Sequence, residues 1–253
     1  MTPAQISDSI SEKEWQIRVD LAAALRWTAR LNLHEAVANH YSVVISDDGK
    51  EFLLNPKLRH FSRVKASDMV KLHIDDKEAL NRPDAPDITA WYLHSQLHAS
   101  LPHAKVIFHT HMPNTLALAC LKDFEFLMLD QNATRFYGRI AYDRQYNGLA
   151  IDDQEGARCA ELLKDGKTVL FMGNHGVMIV GETIADVFDE MYYLEKAADT
   201  QIKALATGQD LAIIPNDVAE MACEQWHEYP GFSNFHFNEL KAILDDEEPA
   251  YKS

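Results

Sequence analysis

The alternation of helical and strand-like segments constrains the fold of this chain more than any other sequence feature. A helical apolar period predicts helices at Glu12–Leu33, Asp87–Leu101, Pro113–Leu121, Gln154–Leu163 and Thr183–Leu205, with short ones near Val218–Trp226 and Asn234–Leu244. β-Prone runs predict strands at Tyr41–Ile45, Phe52–Leu54, Val70–Ile74, Ala104–Phe108, Thr168–Met172 and Val177–Val180. Because the turn Ser46–Gly49 indicates a hairpin, we expect an α/β protein with three α/β/α layers and a mostly antiparallel or mixed sheet.

The length of the chain indicates a single domain. The sequence has 253 residues, of which 47% are hydrophobic and 25% charged, as is usual for a globular protein. It contains no internal repeat and no low-complexity linker that would mark a boundary. We therefore expect one domain over residues 1–253, with a core at about 12–205 and a helical C-terminal extension at 206–253.

The charge of the chain disfavours two classes of partner. It has 24 basic and 39 acidic residues and a formal net charge of −15, so nucleic acid phosphates and anionic lipids would repel it. No apolar run approaches the ~18 residues that a membrane-spanning helix needs. The N-terminus lacks the pattern of a secretory signal, and the cysteines lack disulfide spacing. We therefore expect a cytoplasmic protein with no nucleic acid and no membrane as partner.

Three of the 12 histidines follow predicted strands. His109 and His111 lie one residue apart at the end of a strand, where side chains alternate with period two and the two imidazoles share one face. His175 follows the next predicted strand, Thr168–Met172, in the turn Asn174-His175-Gly176. Three imidazoles with an open coordination position suit a catalytic zinc ion or a similar divalent metal. The alternative for each is a surface or turn histidine that binds no metal.

Taken together, these motifs resemble those of the class II aldolase/adducin family. The His-x-His pair and the later Asn-His-Gly loop stand in the family's order. The segment Asn39-His40-Tyr41-Ser42 takes the place of the family's anion-binding turn, and the similarity extends over about Glu12 to Leu205. The resemblance implies that Asn39, His40 and Ser42 bind substrate. It also implies a nine-stranded, predominantly antiparallel sheet, a metal (usually zinc) held by His109, His111 and His175, and a homotetramer with active sites between subunits.

The sequence departs from the sugar-phosphate aldolases of this family at one position above all. Those enzymes carry an acidic residue on the helix before the His-x-His strand, and the corresponding position here is Ala90, which has no proton to transfer. Their phosphate-binding serines fall at Ile88-Thr89, and His40 stands where an asparagine is expected. A phosphate group needs several converging donors, so we expect an unphosphorylated substrate.

Other residues could supply the missing acid. Asp87, Ala90, His94 and His98 share one helix face, because residues three and four apart are neighbours. We therefore consider Asp87 as the acid and His94 as a substrate-binding residue, although Asp87 is also a natural N-cap and both histidines could simply pack in place. In the family a tyrosine from a neighbouring subunit can donate a proton, and Tyr137 is a candidate for this role.

These features favour a metal-dependent lyase that acts on a small hydroxy- or oxo-acid. A bound divalent ion can stabilise an enediolate in aldol cleavage, decarboxylation or dehydration. Two alternatives remain: a non-catalytic, adducin-like assembly protein, and a conventional sugar-phosphate aldolase or epimerase. The three histidines count against the first alternative and Ala90 against the second.

Overall fold

The computed structural model describes residues 10–229 and 231–253. Its strands are β1 (His40–Val44), β2 (Glu51–Leu54), β3 (Val70–His73), β4 (Val106–Thr110), β5 (Ile140–Asp143), β6 (Val169–Met172) and β7 (Gly176–Gly181). Its α-helices are α1 (Glu12–Arg30), α2 (Ile88–Ser100), α3 (Pro113–Ala119), α4 (Asp153–Leu162), α5 (Ile184–Ala206), α6 (Asn216–Glu228) and α7 (Phe232–Glu247).

The strands form one sheet in the order β3-β2-β1-β4-β7-β6-β5. Strands β5 and β6 pair in parallel, and the other neighbouring strands pair antiparallel. This confirms the predominantly antiparallel α/β sheet. The expectation of nine strands was wrong for the described part of the chain, where the sheet has seven. The chain between β2 and β3 forms two 3-10 turns, Phe61–Arg63 and Ala66–Asp68, instead of further strands.

Side chains alternate between the two faces of the central strands, so the core is divided between two layers of helices. On β4, Val106 and Phe108 face a cluster that includes buried residues of α1, α3, α5 and α7. Ile107 faces the opposite cluster, which is covered by α2 and α4. This division confirms the three-layer α/β/α arrangement, because a sheet that is apolar on both faces must be covered on both.

Antiparallel pairing brings the start of β1 and the end of β4 to the same edge of the sheet. His40 is the register partner of His109, and His109 is in turn paired with Met178 near the start of β7. The end of β6 meets the start of β7 at Met172 and Gly176. Residues that the sequence separates widely therefore converge at this edge.

Local chemistry explains where several elements begin. Asp87 caps α2, because its carboxylate accepts from the backbone N–H of Thr89 at 2.9 Å and of Ala90 at 3.3 Å. Strand β4 begins at Val106 and not at the predicted Ala104, whose N–H closes a turn onto the carbonyl of Leu101. No helix in the described ranges combines the length and apolarity needed to cross a bilayer.

Helices α6 and α7 of the C-terminal extension pack onto the rest of the chain. The indole N–H of Trp27 donates to the carbonyl of Leu240 at 2.7 Å. Arg26 pairs with Glu248 beyond the end of α7, at 2.5 Å. Arg135 lies between the rings of Tyr193 and Trp226, 3.9 Å from each centroid, and so links α5 to α6.

Candidate metal centre

The three predicted metal ligands lie together at one edge of the sheet. His109 is the last residue but one of β4, His111 follows the strand directly, and His175 lies in the turn between β6 and β7. One ring nitrogen from each lies within 4.8 Å of the other two. The ring centroids of His109 and His175 are 4.7 Å apart, and those of His111 and His175 are 5.0 Å apart. The fold thus creates one cluster of three imidazoles.

Hydrogen bonds determine which ring nitrogen of His109 and of His111 has a lone pair available for a metal ion. Nδ1 of His109 donates to the carbonyl of Val177 at 3.1 Å, and Nδ1 of His111 donates to the carboxylate of Glu35 at 2.7 Å. A neutral imidazole with its proton on Nδ1 has a lone pair on Nε2. A carboxylate or carbonyl behind a histidine ligand is the usual outer partner in metal sites. Nε2 is therefore the atom that would bind a metal in both residues.

The separation of these two nitrogens fits a divalent cation. Nε2 of His109 and Nε2 of His111 are 3.1 Å apart, so two lone pairs face each other. Two ligands at ~2.0–2.1 Å from a tetrahedral zinc ion lie about 3.3 Å apart. A cation between the two nitrogens would turn their mutual repulsion into two favourable bonds. The donor set and its geometry therefore fit the metal that the sequence predicts.

Burial keeps His109 and His175 neutral, as metal ligands must be. Burial and, to a smaller extent, proximity to His111 lower the pKa of His175 to about 4. The pKa of His109 is also well below the ordinary value, again chiefly because of burial and also because of His175. Near neutral pH, neither imidazole has to lose a proton before it can bind a cation.

The Asn-His-Gly turn has the geometry that its residue types suggest. Asn174 adopts a left-handed conformation with φ of 56°, which asparagine tolerates better than most residues. A Cβ at Gly176 would lie 2.7 Å from the carbonyl oxygen of Thr110 and 2.7 Å from the ring of His111. Glycine at 176 therefore allows the turn to pass close enough to His111 for His175 to join the cluster.

The predicted anion-binding turn lies beside the metal cluster. The ring of His40 stacks on that of His109 with centroids 4.8 Å apart. The side-chain carbonyl of Asn39 accepts from the N–H of Glu35 at 2.6 Å. The amide Nδ2 of Asn39 is buried and has no hydrogen-bond partner among the described residues. His40 thus lies against one of the three clustered histidines, and substrate binding by Asn39 and His40 stays a prediction.

The predicted substrate-binding residues Ser42 and His94 lie behind His40. Both are fully buried, with exposed fractions of 0%. Nε2 of His94 is 2.7 Å from Nδ1 of His40, and Nδ1 of His94 hydrogen-bonds Oγ of Ser42. Oγ of Ser42 is in turn 2.7 Å from Nε2 of His98. The histidine pair on α2 therefore faces the sheet and contacts His40, and it is His40 that lies against the metal cluster.

Asp87 lies at the start of α2, close to His40. Its Oδ1 accepts from the hydroxyl of Thr89 at 2.6 Å as well as from the two capping N–H groups. Its charge raises the pKa of His40, although the burial of His40 has the larger and opposite effect. Asp87 is thus an N-cap whose carboxylate also acts electrostatically on the site, and its catalytic role stays a prediction.

Tyr137 lies away from the metal cluster within one chain. It precedes β5, whose other end, Asp143, lies beside the turn that carries His175. From Ile140 to Asp143 the strand alone spans about 10 Å. Tyr137 could therefore reach a metal cluster only in another subunit, and this role stays a prediction.

Sequence reasoning missed two residues beside the cluster. Glu35 holds His111, although it lies in an irregular segment with no recognisable motif. The ring of Tyr146, which is 52% exposed, lies 6.2 Å from that of His175. Ala90, at the position of the family's acid, is buried in an apolar cluster with Phe52 and Trp91.

Known proteins share both this sequence pattern and this fold. The profile of the Class II Aldolase and Adducin N-terminal domain matches residues 19–202. A Pseudomonas aeruginosa protein grouped with the class 2 aldolases is 30% identical over 216 residues, covering 85% of this chain and 82% of that protein. The decarboxylase NovR of Streptomyces niveus is 25% identical over 221 residues, covering 87% of this chain and 81% of NovR.

The fold comparison agrees with the sequence comparison. The crystal structure of an aldolase II superfamily protein from Pseudomonas syringae is similar to this chain with a TM-score of 0.87 and 29% identity. The similarity covers 98% of this chain and 100% of that one. The profile match over most of the chain, the relative at 30% identity and the shared fold agree, and the chain belongs to the class II aldolase and adducin family.

Proposed function

We propose that this protein is a metal-dependent lyase that acts on a small, unphosphorylated hydroxy- or oxo-acid. The observation that carries the proposal is the pair of facing lone pairs on His109 and His111, 3.1 Å apart, with His175 beside them. A purely structural domain has no use for such a pair, because it is repulsive unless a cation separates the nitrogens. We propose zinc as the ion.

We propose separate roles in metal binding, substrate binding and proton transfer for the residues of the site. His109, His111 and His175 would hold the metal, and a metal in this position supplies the electrophile that stabilises an enediolate. The free amide of Asn39 would donate to a substrate oxygen, and His40 would contact the substrate beside the metal. Asp87 would transfer the proton, and Tyr137 would act from a neighbouring subunit.

The substrate class follows from what surrounds the cluster. Ala90 carries no proton, and Ile88 and Thr89 stand where the aldolases that cleave sugar phosphates have serines. NovR, a relative across most of its length, is named as a decarboxylase, which agrees with chemistry on an acid. Decarboxylation, aldol cleavage and dehydration can all use the electron sink that a metal at the cluster would supply, and we propose one of these three reactions.

A homotetramer in the cytoplasm is part of the proposal. A tyrosine that must act across a subunit boundary requires an oligomer. Sedimentation at micromolar concentration should give the mass of four chains. A monomer would exclude Tyr137 from the site but would leave the three metal ligands unaffected.

An adducin-like assembly role is the alternative that the family allows. Metal content separates the two functions. The lyase should bind one divalent ion per chain and convert at least one member of a panel of hydroxy- and oxo-acids, followed by NMR of the products. A protein that binds no divalent ion when purified with zinc in excess would refute the lyase proposal and favour assembly.

A further inference from the structure

A continuous chain of hydrogen bonds runs from the interior of the protein to the metal cluster. It lies between the sheet and α2 and joins His98, Ser42, His94 and His40. Its inner end is the backbone carbonyl of Ala104, 2.8 Å from Nδ1 of His98. All four side chains are buried, and none is more than 7% exposed. We call this chain of four side chains the histidine relay.

The group at the inner end of the histidine relay determines which atom donates and which accepts in each of its hydrogen bonds. The carbonyl of Ala104 can only accept, so Nδ1 of His98 carries a proton and Nε2 of His98 has a lone pair. That lone pair accepts the single hydroxyl hydrogen of Ser42, across 2.7 Å. The oxygen of Ser42 can then only accept, and it does so from Nδ1–H of His94.

The same reasoning continues to the outer end. With its proton on Nδ1, His94 has a lone pair on Nε2, which accepts from Nδ1–H of His40 across 2.7 Å. His40 is therefore left with a lone pair on Nε2. No group among the described residues hydrogen-bonds to this atom. The relay thus leaves one unused acceptor, on the ring that stacks on His109.

The direction follows from the hydrogen-bond partners of each ring, beginning at the carbonyl of Ala104. Burial lowers the pKa of His98 to about 4, and it lowers the pKa of His94 well below the ordinary value. A neutral imidazole has one donor and one acceptor, so each ring transmits the direction of the bond behind it. In a chain of such hydrogen bonds, each bond polarises its neighbours and so strengthens them.

We propose that the histidine relay presents Nε2 of His40 as a hydrogen-bond acceptor for the hydroxyl group of the substrate. The inference rests on the proposed function, because it concerns a ligand at the same metal cluster. It narrows the substrate class to compounds with a hydroxyl group beside the carboxylate or carbonyl that the metal binds. His40 touches the substrate, whereas Ser42, His94 and His98 are positioning residues.

The acceptor also explains the discrimination against phosphate. In this family's sugar-phosphate enzymes an asparagine, which can donate, is expected at position 40. A lone pair in its place repels an anionic oxygen and attracts an O–H group. Asn39, with its unpartnered amide, remains the donor of the pair. The two neighbouring residues thus suit a hydroxy-acid, which offers one donor and several acceptors.

The tautomers of the relay can be measured directly in the metal-free protein. In protein labelled with 15N-histidine, NMR distinguishes protonated from unprotonated ring nitrogens, and single histidine substitutions assign the signals. We expect the proton on Nδ1 and a lone pair on Nε2 for His40, His94 and His98. A proton on Nε2 of His40 in the wild-type protein would overturn the proposal, whatever the outcome of metal or activity assays.

Variants at Ser42 test whether the relay sets the tautomer. In Ser42→Ala, Nδ1–H of His94 loses its acceptor, so His94 should move its proton to Nε2 and donate to His40, whose own proton then moves to Nε2. Ser42→Thr keeps the hydroxyl and should keep the wild-type tautomers. Ser95→Ala is the matched control, because Ser95 is buried on α2 but donates to the carbonyl of Trp91 outside the relay. Unchanged tautomers in Ser42→Ala would refute the relay.

A pair of small probes tests the acceptor itself. Glycolate has a hydroxyl hydrogen and methoxyacetate does not, so the zinc-loaded protein should bind glycolate more tightly, by about tenfold for one buried hydrogen bond. Ser42→Ala should remove this preference, and Ser95→Ala should retain it. Calorimetry gives both affinities. Equal preference in the wild type and in Ser42→Ala would contradict the role assigned to His40, even if zinc binding and catalysis are established.

Discussion

His40 and His109 are register partners on adjacent antiparallel strands, and their rings stack with centroids 4.8 Å apart. One belongs to the histidine relay and the other to the metal cluster. Side chains directly opposite on one face of a sheet are its closest neighbours, so this pairing joins the two groups at a single point. The pairing places His40, and neither Asp87 nor His94 of α2, in direct contact with His109, one of the three candidate metal ligands.

Removing the carboxylate behind His111 should weaken metal binding without abolishing it. Glu35 holds Nδ1 of His111 at 2.7 Å, and the loss of such an outer partner typically costs 10–100-fold in affinity. Calorimetry with zinc should show this loss for Glu35→Gln and no measurable binding for His109→Ala. Glu182→Gln is the control, since Glu182 pairs with Lys105 at the opposite end of the sheet. Unchanged affinity in His109→Ala would contradict the metal site.

The substitution Asp87→Asn separates the two roles of Asp87. Asparagine caps a helix about as well as aspartate, so the melting temperature should hardly change. If the carboxylate transfers the proton, turnover of an identified substrate should fall by roughly 10²–10⁴-fold. Thr89→Val provides the control, because it removes the hydroxyl bonded to Oδ1 and leaves the carboxylate. Full activity in Asp87→Asn would leave Asp87 as a cap alone.

The protein should not cleave fuculose-type phosphates efficiently. Ala90 cannot act as acid or base, and the neighbouring phosphate donors are absent from the sequence. A coupled assay for the released three-carbon products, run with saturating zinc, should show only slow background cleavage. Robust turnover would show that another group provides the acid and that the site accepts a phosphate.

The free energy of unfolding of the metal-free protein should fall as the pH is lowered, because its buried histidines are neutral in the folded state. The pKa of His98 is about 4 in the folded chain because of burial, against 6.5 for an ordinary histidine. Between these values the unfolded chain binds a proton that the folded chain does not, so the free energy of unfolding falls as pH drops from 6.5 toward 4. The loss from one such histidine approaches about 3 kcal/mol.

Urea unfolding at a series of pH values measures this effect. His98→Gln should reduce the slope of stability against pH in this window, because one buried titrating group is removed. His73→Gln, at a half-buried position on the edge strand β3 and outside the group of buried histidines, is the control variant. A free energy of unfolding that stays constant from pH 6.5 to 4 would contradict the burial of these neutral rings.

Arg135 should anchor the C-terminal extension. Its guanidinium lies between Tyr193 and Trp226 and pairs with buried Asp189 at 2.8 Å. Arg135→Met leaves that carboxylate without its arginine partner, which typically costs about 3–5 kcal/mol. Thermal unfolding should show the loss, whereas Lys203→Met, which breaks the exposed pair with Asp199, should change stability by about 1 kcal/mol or less. Equal effects would refute the anchoring role.

Several features of the site could be predicted from the sequence because they depend on near neighbours in the chain. The period of a strand places His109 and His111 on one face, and the period of a helix places His94 one turn from His98. The cap at Asp87 follows from its position before α2. The Asn-His-Gly turn is recognisable because its glycine and asparagine suit a tight, partly left-handed backbone.

Which of these residues contact one another depends on the tertiary structure. The register between β1 and β4 sets His40 against His109, and the packing of α2 on the sheet turns His94 and His98 toward Ser42. Glu35 reaches His111 from a segment without a pattern of its own. A local period specifies which side chains share a face, but strand register and layer packing depend on burying surfaces far apart in sequence. For that reason the sequence predicts the three candidate metal ligands, whereas the direction of the hydrogen bonds that lead to them follows from the fold.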